Sequence, residues 1–251
     1  MDMSARLSHA REDLARHVDA AGTSLRETAR DAGAVARRED VAQLRLELIR
    51  QDDAGAVELD LDSVEQRQLF SALGQVKLIG LYYDLFREHS LHVGQVLTMK
   101  ENFEQGEQYD NQKACMTVML ENGVVPIVNE NDTVCVTELM FTDNDELSGL
   151  IAIMLQADML ILLSNIDGIY TGNPNDPRST LIRKVDAHTD LSQYIQTSKS
   201  SLGRGGMVSK YSTACKVQHS GTKVIIANGK RDDILIDLIT RPEETRHTEF
   251  G

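Results

Sequence analysis

The sequence predicts an α/β fold with a mostly parallel sheet that is covered by helices. Short apolar segments alternate with longer segments in which apolar residues recur at helical spacing, and this alternation is typical of parallel α/β domains. Two of the short segments, residues 159–163 and 223–227, are apolar on both strand faces. Strands of this kind are expected in a sheet that is buried on both sides.

The predicted elements follow one another from residue 62 onward. Apolar residues at helical spacing over residues 64–89 indicate a long helix or a pair of helices. The Asn122-Gly123 pair is a C-cap signal that ends another helix before a β-branched strand. In order, the sequence predicts a helix (64–89), a strand (91–97), a helix (111–121), a strand (124–128), a helix (147–156), a strand (159–163), a helix through residues 214 and 217, and a strand (223–227).

Residues 1–60 differ in composition from the rest of the chain. All nine lysines and all eleven aromatic residues lie at or after Phe70. Residues 1–60 therefore contain arginine but no lysine. Its apolar residues are too sparse for the buried face of a helix. We expect a helical or disordered arm here rather than a packed functional element, followed by one domain at residues 61–251.

Charge and composition argue against several classes of protein. The 251 residues include 26 Lys and Arg against 39 Asp and Glu, a net charge of −13, whereas proteins that coat nucleic acids or membranes need positive fields. No apolar run approaches the ~20 residues of a transmembrane helix, and the amino terminus lacks a signal-peptide pattern. Three scattered cysteines without a CxxC pair, and histidines without ligand spacing, favour a cytoplasmic protein with no metal held by its own side chains.

A dense polar cluster directly follows the strand predicted at 124–128. Ligands of open α/β sheets bind outside the carboxyl ends of the strands. Amides both donate and accept hydrogen bonds, and Asp132 is able to pair with an ammonium group. The cluster therefore favours a site for a zwitterionic ligand over a simple polar turn. It consists of Asn129, Glu130, Asn131, Asp132 and Thr133.

A second acidic segment, residues 142–148, precedes the helix predicted at 147–156. Asp143 or Asp145 is a suitable N-cap, with Glu146 in the first helical turn. The amino terminus of a helix is also a ready site for a carboxylate or a phosphate. The capping and the binding interpretation both remain open for this segment.

Two loops in the second half of the chain are candidates for nucleotide contacts. The loop at 164–174 contains Asp-Gly and Asn-Pro steps, which fit a plain turn as well as a nucleotide-binding loop. The stretch at 201–210 combines three glycines with Lys210 at the start of a helix. Such a loop lets backbone N–H groups approach a phosphate, although the spacing is not that of a Walker A motif.

Together these segments resemble the amino acid kinase family over roughly residues 61–250. The resemblance implies a three-layer αβα sandwich that transfers the γ-phosphoryl group of ATP, with Mg²⁺, to the side-chain carboxylate of glutamate. The product is glutamyl 5-phosphate, in the first step of proline biosynthesis, and the resemblance further implies a homo-oligomer. The matching segments are 71–75, 93–97, 125–134 (VPIVNENDTV), 142–148 (TDNDELS), 162–170 (LLSNIDGIY) and 203–210 (GRGGMVSK).

The resemblance also implies a role for individual residues. Asp132 and Asn144, with Asn129 and Asn131 beside Asp132, bind glutamate, and Asp145 organises the catalytic lysines. Lys210 stabilises the charge on the transferring phosphoryl group. The expected ATP contacts are Ser164, Asn165, Arg204, Gly205, Gly206, Met207, Val208, Ser209 and Lys210.

The first sixty residues depart from the pattern of the family. Family members begin with a strand that leads into a Lys-Leu-Gly-Ser type loop, and a later strand ends in a Ser-Gly-Ala type turn. Neither occurs in residues 1–60, so we expect the amino-terminal strands to be incomplete.

Three interpretations of this departure follow: a truncated kinase joined to an unrelated or frame-shifted segment, a degenerate member that binds nucleotide or amino acid without catalysis, or an active kinase that compensates for the missing strands. A kinase of the same fold acting on aspartate, carbamate or a nucleotide is a further alternative.

Overall fold

The computed structural model describes residues 63–135, 143–187, 189–195 and 206–251. The arm predicted at 1–60 lies outside these residues. The described residues fall into two compact units, one up to Leu147 and the other from Ser148 onward. The elements in chain order are α1 (Ser63–Arg87), β1 (His92–Thr98), a 3₁₀ turn (Lys100–Phe103), α2 (Glu107–Glu121), β2 (Val124–Glu130), α3 (Asn144–Leu155), β3 (Met159–Ser164), β4 (Lys184–Val185), a second 3₁₀ turn (Ser192–Tyr194), α4 (Met207–His219), β5 (Lys223–Asn228), α5 (Ile234–Thr240) and β6 (His247–Phe250).

The first unit is built on the parallel pair β1 and β2. The two strands pair in register from His92 with Val124 to Thr98 with Glu130, while α1 packs on β1 and α2 packs on β2. The C-cap predicted at Asn122-Gly123 is confirmed, because Asn122 is the C-cap of α2 and Gly123 takes a left-handed φ of 71°. Only glycine adopts that conformation readily, and it turns the chain from α2 directly into β2.

The second unit is built on a four-stranded sheet with the order β3-β5-β6-β4. β3 pairs with β5 and β4 pairs with β6 in parallel, while β5 and β6 are antiparallel. The residues from Val224 to Ala227 in β5 are at most 1% exposed, and Ala214 and Val217 of α4 are fully buried. The α/β class with mostly parallel pairing is confirmed, since three of the four strand pairs in the described ranges are parallel.

Several elements extend beyond their predicted bounds. α2 begins at Glu107 instead of residue 111, and α3 begins at Asn144 instead of residue 147. β2 continues to Glu130 because it pairs with β1 along its whole length, so Asn129 and Glu130 end the strand rather than follow it. The structure also contains β4, α5 and β6, which the sequence analysis did not predict. They are short, and β6 has the polar sequence His-Thr-Glu-Phe, which shows no strand pattern.

None of the helices that the structure describes is long and apolar enough to cross a lipid bilayer.

The buried His247 in β6 makes the stability of the second unit sensitive to acid. It is 4% exposed, and its Nδ1 lies 2.8 Å from the carbonyl oxygen of Thr245. Burial lowers the pKa of His247 below its ordinary value of 6.5, assisted by Arg183 and opposed by the Thr245 contact and the carboxylates of Glu249 and Glu243. Below about pH 6.5 the imidazole of His247 is protonated more readily in the unfolded chain than in the folded chain. The free energy of unfolding is therefore unaffected by His247 above about pH 6.5 and falls as the pH drops below it.

We expect His247→Gln to reduce this loss of stability. The free energy of unfolding, measured by urea titration at pH 7.5, 6.5 and 5.5, should fall less steeply toward acid, by up to about 1.4 kcal/mol per pH unit. The same change at His92, an exposed residue of β1, is the control for removing one imidazole. If the free energy of unfolding of His247→Gln fell toward acid as steeply as that of the parent, His247 would not be the source of the acid sensitivity.

Candidate active site

The predicted amide and carboxylate cluster lies at the carboxyl end of β2. Asn129 is the last residue but one of the strand, and its Nδ2 donates to Oε1 of Gln75 in α1 at 3.1 Å. In the following turn, the backbone N–H of Asn131 donates to the carbonyl oxygen of Thr98 at 2.9 Å. This bond joins the turn to the carboxyl end of β1, and Asp132 lies half-buried in the same turn.

The side chain of Asn131 is occupied within the turn. Its Oδ1 accepts a hydrogen bond from Oγ1 of Thr133 at 2.6 Å, and its carbonyl oxygen accepts from the N–H groups of Val134 and Cys135. These bonds are those of a polar turn. Asn131 therefore shapes the turn that presents its neighbours, and its predicted contact with a ligand remains a prediction.

Three carboxylates lie near this turn and make its surroundings negative. Cys135, which follows it, is 2% exposed. Burial raises the pKa of the Cys135 thiol, and the carboxylates of Glu130, Glu101 and Asp132 raise it further. A group of carboxylates that disfavours a thiolate favours a cation by the same physics. The turn is therefore suited to an ammonium group.

The first turn of α3 carries the second acidic segment. The N–H of Glu146 donates to Oδ1 of Asp143 at 3.0 Å, so Asp143 caps the helix and the capping interpretation is confirmed for this residue. Asn144 and Asp145 occupy the first two helical positions. Oε1 of Glu146 lies 3.6 Å from Nζ of Lys100, in the turn after β1, a pairing for which the sequence gives no signal.

In the second unit, parallel pairing places the end of β5 beside the predicted ATP-binding residues. Ser164 is the last residue of β3 and is in register with Asn228. The N–H of Gly229 donates to the carbonyl oxygen of Ser164 at 2.8 Å. The hydroxyl of Ser164 lies 3.5 Å from Oδ1 of the exposed Asn165. The structure thus adds Asn228 and Gly229 to the neighbourhood of this pair.

A polar cluster centred on Asp167 anchors the loop after β3. Oδ1 of Asp167 accepts from Nδ2 of Asn228 at 3.2 Å, and its Oδ2 accepts from Nε of Arg246 at 2.9 Å and from the hydroxyl of Tyr170 at 3.2 Å. The loop motif contains Asp167 and Tyr170, but the sequence gives no signal for Arg246. Only the antiparallel pairing of β6 with β5 brings that residue to the loop.

We expect Asp167→Asn to destabilise the second unit by breaking this cluster. The amide keeps the size of the carboxylate but replaces one of two acceptor oxygens by a donor, so at least one of three donors loses its partner. A loss of about 1–3 kcal/mol, or roughly 2–12 °C in Tm, is expected. Asp176→Asn, which disrupts the surface pair with Arg178 (side chain 90% exposed), is the control and should lower Tm less. Equal losses in the two variants would show that the cluster has no special role.

The glycine-rich stretch ends in the first turn of α4. Arg204 and Gly205 lie outside the described residues. Gly206 is the N-cap, and its carbonyl oxygen accepts from the N–H of Lys210 at 3.1 Å. Met207 packs on the hydrophobic core, whereas Val208 is 51% exposed, and Ser209 and Lys210 are half-buried. A lysine in the first turn of a helix is unfavourable alone and favourable beside an anion.

The predicted residues are divided between the two units. The structure brings together Asn129, Asn131 and Asp132 at the end of β2, and Asn144 with Asp145 at the start of α3. Ser164 and Asn165 belong to the other unit, as do the described residues of the glycine-rich stretch. Within the portion of the chain that the structure describes, no group of three or more His, Cys, Asp or Glu side chains is arranged to hold a metal ion.

The family is shown by comparison with known proteins. A model of the amino acid kinase family matches residues 9–228, a stretch that begins within the amino-terminal segment. The chain belongs to the amino acid kinase family, as the matching sequence segments predicted.

Two relatives and two solved structures illustrate the similarity. A glutamate 5-kinase of Bacteroides thetaiotaomicron is 66% identical over 190 residues, covering 76% of this chain and 53% of the relative. A glutamate 5-kinase of Chlorobaculum tepidum is 47% identical over 181 residues, covering 70% and 48%. The chain therefore spans about half the length of the curated relatives it matches.

The solved structures confirm the fold alone, because their sequence identity is low. An isopentenyl phosphate kinase in complex with its substrate is 16% identical with a TM-score of 0.53, over 73% of this chain and 70% of that one. The N-acetylglutamate synthase of Neisseria gonorrhoeae is 19% identical with a TM-score of 0.55, over 92% and 56%.

Proposed function

We propose that this chain is a glutamate 5-kinase, which transfers the γ-phosphoryl group of ATP to the side-chain carboxylate of glutamate. The products are glutamyl 5-phosphate and ADP, in the first step of proline biosynthesis. The observation that carries the proposal is the 66% identity over 190 residues with a glutamate 5-kinase. We also propose a cytoplasmic location and a homo-oligomer, both from the family resemblance.

The glutamate-binding residues of this proposal lie in the first unit. Asp132 and Asn129 receive the ammonium group of glutamate, where Glu130 and Glu101 add negative charge. Asn144, exposed in the first turn of α3, donates to a carboxylate of the substrate. Asp145, beside it, is assigned a catalytic role by the family resemblance. The negative field of the turn supports this assignment, because glutamate carries its one positive charge on the ammonium group.

The ATP-binding residues of the proposal lie in the second unit. Ser164 and Asn165, at the carboxyl end of β3, contact the nucleotide, and the residues from Arg204 to Lys210 surround its phosphates. Mg²⁺ enters with ATP as part of the substrate, held mainly by phosphate oxygens, as is usual for this ion.

The chemistry asks for positioning and charge rather than for a general base. A carboxylate is ionised at neutral pH and is already a nucleophile, so no proton has to be removed before it attacks the γ-phosphorus. The main tasks are to align the carboxylate with the phosphoryl group and to stabilise the charge on the transferring oxygens. Lys210 performs the second task in this proposal.

A coupled assay of ADP release with glutamate tests the function of the full chain. Glutamate-dependent turnover that is absent with aspartate or carbamate is expected, and turnover with either of those instead of glutamate would contradict the substrate assignment. Calorimetry with ATP and with glutamate, each alone, separates the remaining possibilities. Binding without turnover would support the alternative of a non-catalytic binding protein, and binding of neither ligand would reject both.

A further inference from the structure

One face of α1 carries a polar stripe, which we define as Gln68, Ser71 and Gln75. Spacings of three and four residues put these side chains on the same side of the helix. Nε2 of Gln68 donates to the carbonyl oxygen of Thr133 at 2.8 Å, and Oε1 of Gln75 accepts from Nδ2 of Asn129 at 3.1 Å. The polar stripe therefore faces the strand end and turn that carry Asn129 and Asp132.

The polar stripe lowers the stability of the fold, because two of its polar atoms are buried without a hydrogen-bond partner among the described residues. Ser71 is 3% exposed, and its Oγ is buried with no hydrogen-bond partner among the described residues. Nε2 of Gln75 is likewise buried with no hydrogen-bond partner among the described residues. Each unpaired buried polar group opposes folding, whereas apolar side chains at these positions would pack without that cost. Packing alone does not explain polar residues here, so a role in function is the better explanation.

The contact with Gln75 decides which end of the Asn129 amide is left for a ligand. An asparagine side chain offers a donor at Nδ2 and an acceptor at Oδ1. Since Gln75 holds Nδ2, Asn129 presents Oδ1 as its remaining polar atom. An acceptor at this position, within the negative field of the Asp132 turn, suits a cationic donor and disfavours an anion.

We propose that Gln75 positions Asn129, so that Oδ1 of Asn129 accepts a hydrogen bond from the ammonium group of the amino-acid substrate. This inference rests on the proposed function and adds to it the residue Gln75 and the atom of Asn129 that contacts the ammonium group. Gln75 acts through Asn129 and does not touch the substrate, so it is a positioning residue. Its removal should weaken recognition of the ammonium group and leave the rest of the substrate site unchanged.

Calorimetry with glutamate and glutarate tests this separation. Glutarate has the same carbon chain and both carboxylates but no ammonium group. In Gln75→Met, which has a similar volume and accepts no strong hydrogen bond, we expect glutamate to bind about tenfold more weakly, as for loss of one hydrogen bond of ~1.4 kcal/mol to a charged group. The dissociation constants for glutarate and ATP should stay within about twofold of the parent.

A conservative variant provides the rescue. In Gln75→Glu, a carboxylate oxygen still accepts from Nδ2 of Asn129, so at pH 8 glutamate binding should return to within about threefold of the parent. Gln95→Met, the same change at an exposed position of β1, is the matched control and should leave all three affinities unaltered. Thermal unfolding of each ligand-free variant checks that the fold is intact.

The outcomes separate this inference from the proposed function. Equal weakening of glutamate and glutarate in Gln75→Met, or no weakening of either, would overturn the positioning role while the proposed function stands. Failure of Gln75→Glu to bind glutamate better than Gln75→Met would also overturn it. If the parent chain binds no glutamate, the proposed function fails and this inference fails with it.

Discussion

Replacing Lys210 by Met is expected to lower glutamate-dependent ADP release by about 10²–10³-fold, the usual cost of removing one group that stabilises charge in a transition state. Lys210 lies in the first turn of α4, where its backbone N–H is bonded to Gly206. Methionine has a similar side-chain length and helix propensity, and it lacks the charge and the N–H donors of lysine. The KM for glutamate should change little, because the phosphoryl oxygens gain their charge in the transition state.

The same change at the other end of the helix is the control. Lys216→Met alters an exposed residue in the last turn of α4 and should leave turnover within about twofold of the parent. The Tm of both variants is the second measurement, since the core of α4 consists of Thr213, Ala214 and Val217. Turnover of Lys210→Met close to that of Lys216→Met would remove Lys210 from the catalytic assignment.

Gly168→Ala is expected to cause the largest loss of stability, about 3–4 kcal/mol or roughly 6–16 °C in Tm. Gly168 has a φ of 154°, which disfavours any side chain, and an added Cβ would lie only 2.8 Å from the backbone nitrogen of Thr248 and closer still to its Oγ1. Thr248 cannot move away easily. It is fully buried, and its Oγ1 accepts from the N–H of Ile169 at 2.8 Å and donates to the carbonyl oxygen of Ile182 at 2.7 Å.

Gly80→Ala is the matched control for this substitution. Gly80 lies inside α1, where an added Cβ meets no heavy atom of the described residues within 4 Å. Alanine favours the helix over glycine, so thermal unfolding should show a gain of up to about 1 kcal/mol instead of a loss. A loss of stability in Gly168→Ala no larger than about 1 kcal/mol would mean that the loop after β3 adjusts to the extra atom.

The features of the fold that were predictable are those with a local signal. β3 and β5 are apolar on both faces, and the Asn122-Gly123 pair marks the end of α2, so their sequences alone indicate the elements. The order of β6 within the sheet has no such signal. Its polar residues His247 and Thr248 are nevertheless buried, and Thr248 is hydrogen-bonded to two distant segments of the chain. A contact of this kind depends on the tertiary structure, which the local pattern does not encode.

The residues of the candidate site likewise divide into those with a local signal in the sequence and those without one. The residues at strand ends were predictable because strand ends of α/β sheets hold ligands. Asn129, Asp132, Ser164 and Asn165 lie at or just after the ends of two strands with clear patterns. Whether Asp143 or Asp145 caps α3 was not predictable, since both satisfy the sequence preference and only the bond to Glu146 decides it. The Gln75 contact with Asn129 spans 54 positions along the chain and has no local signature.

The buried thiol of Cys135, beside the turn that carries Asp132, has a consequence for chemical labelling. The thiolate is the form of cysteine that reacts with electrophiles and oxidants. Burial and the carboxylates around Cys135 hold it as the neutral thiol, whereas Cys115 is exposed on α2. A fluorophore attached through maleimide chemistry therefore reaches Cys115 and spares Cys135. The acidic turn proposed to hold the substrate thus also protects its neighbouring sulfur, and the first unit can carry an optical probe without disturbance of the turn.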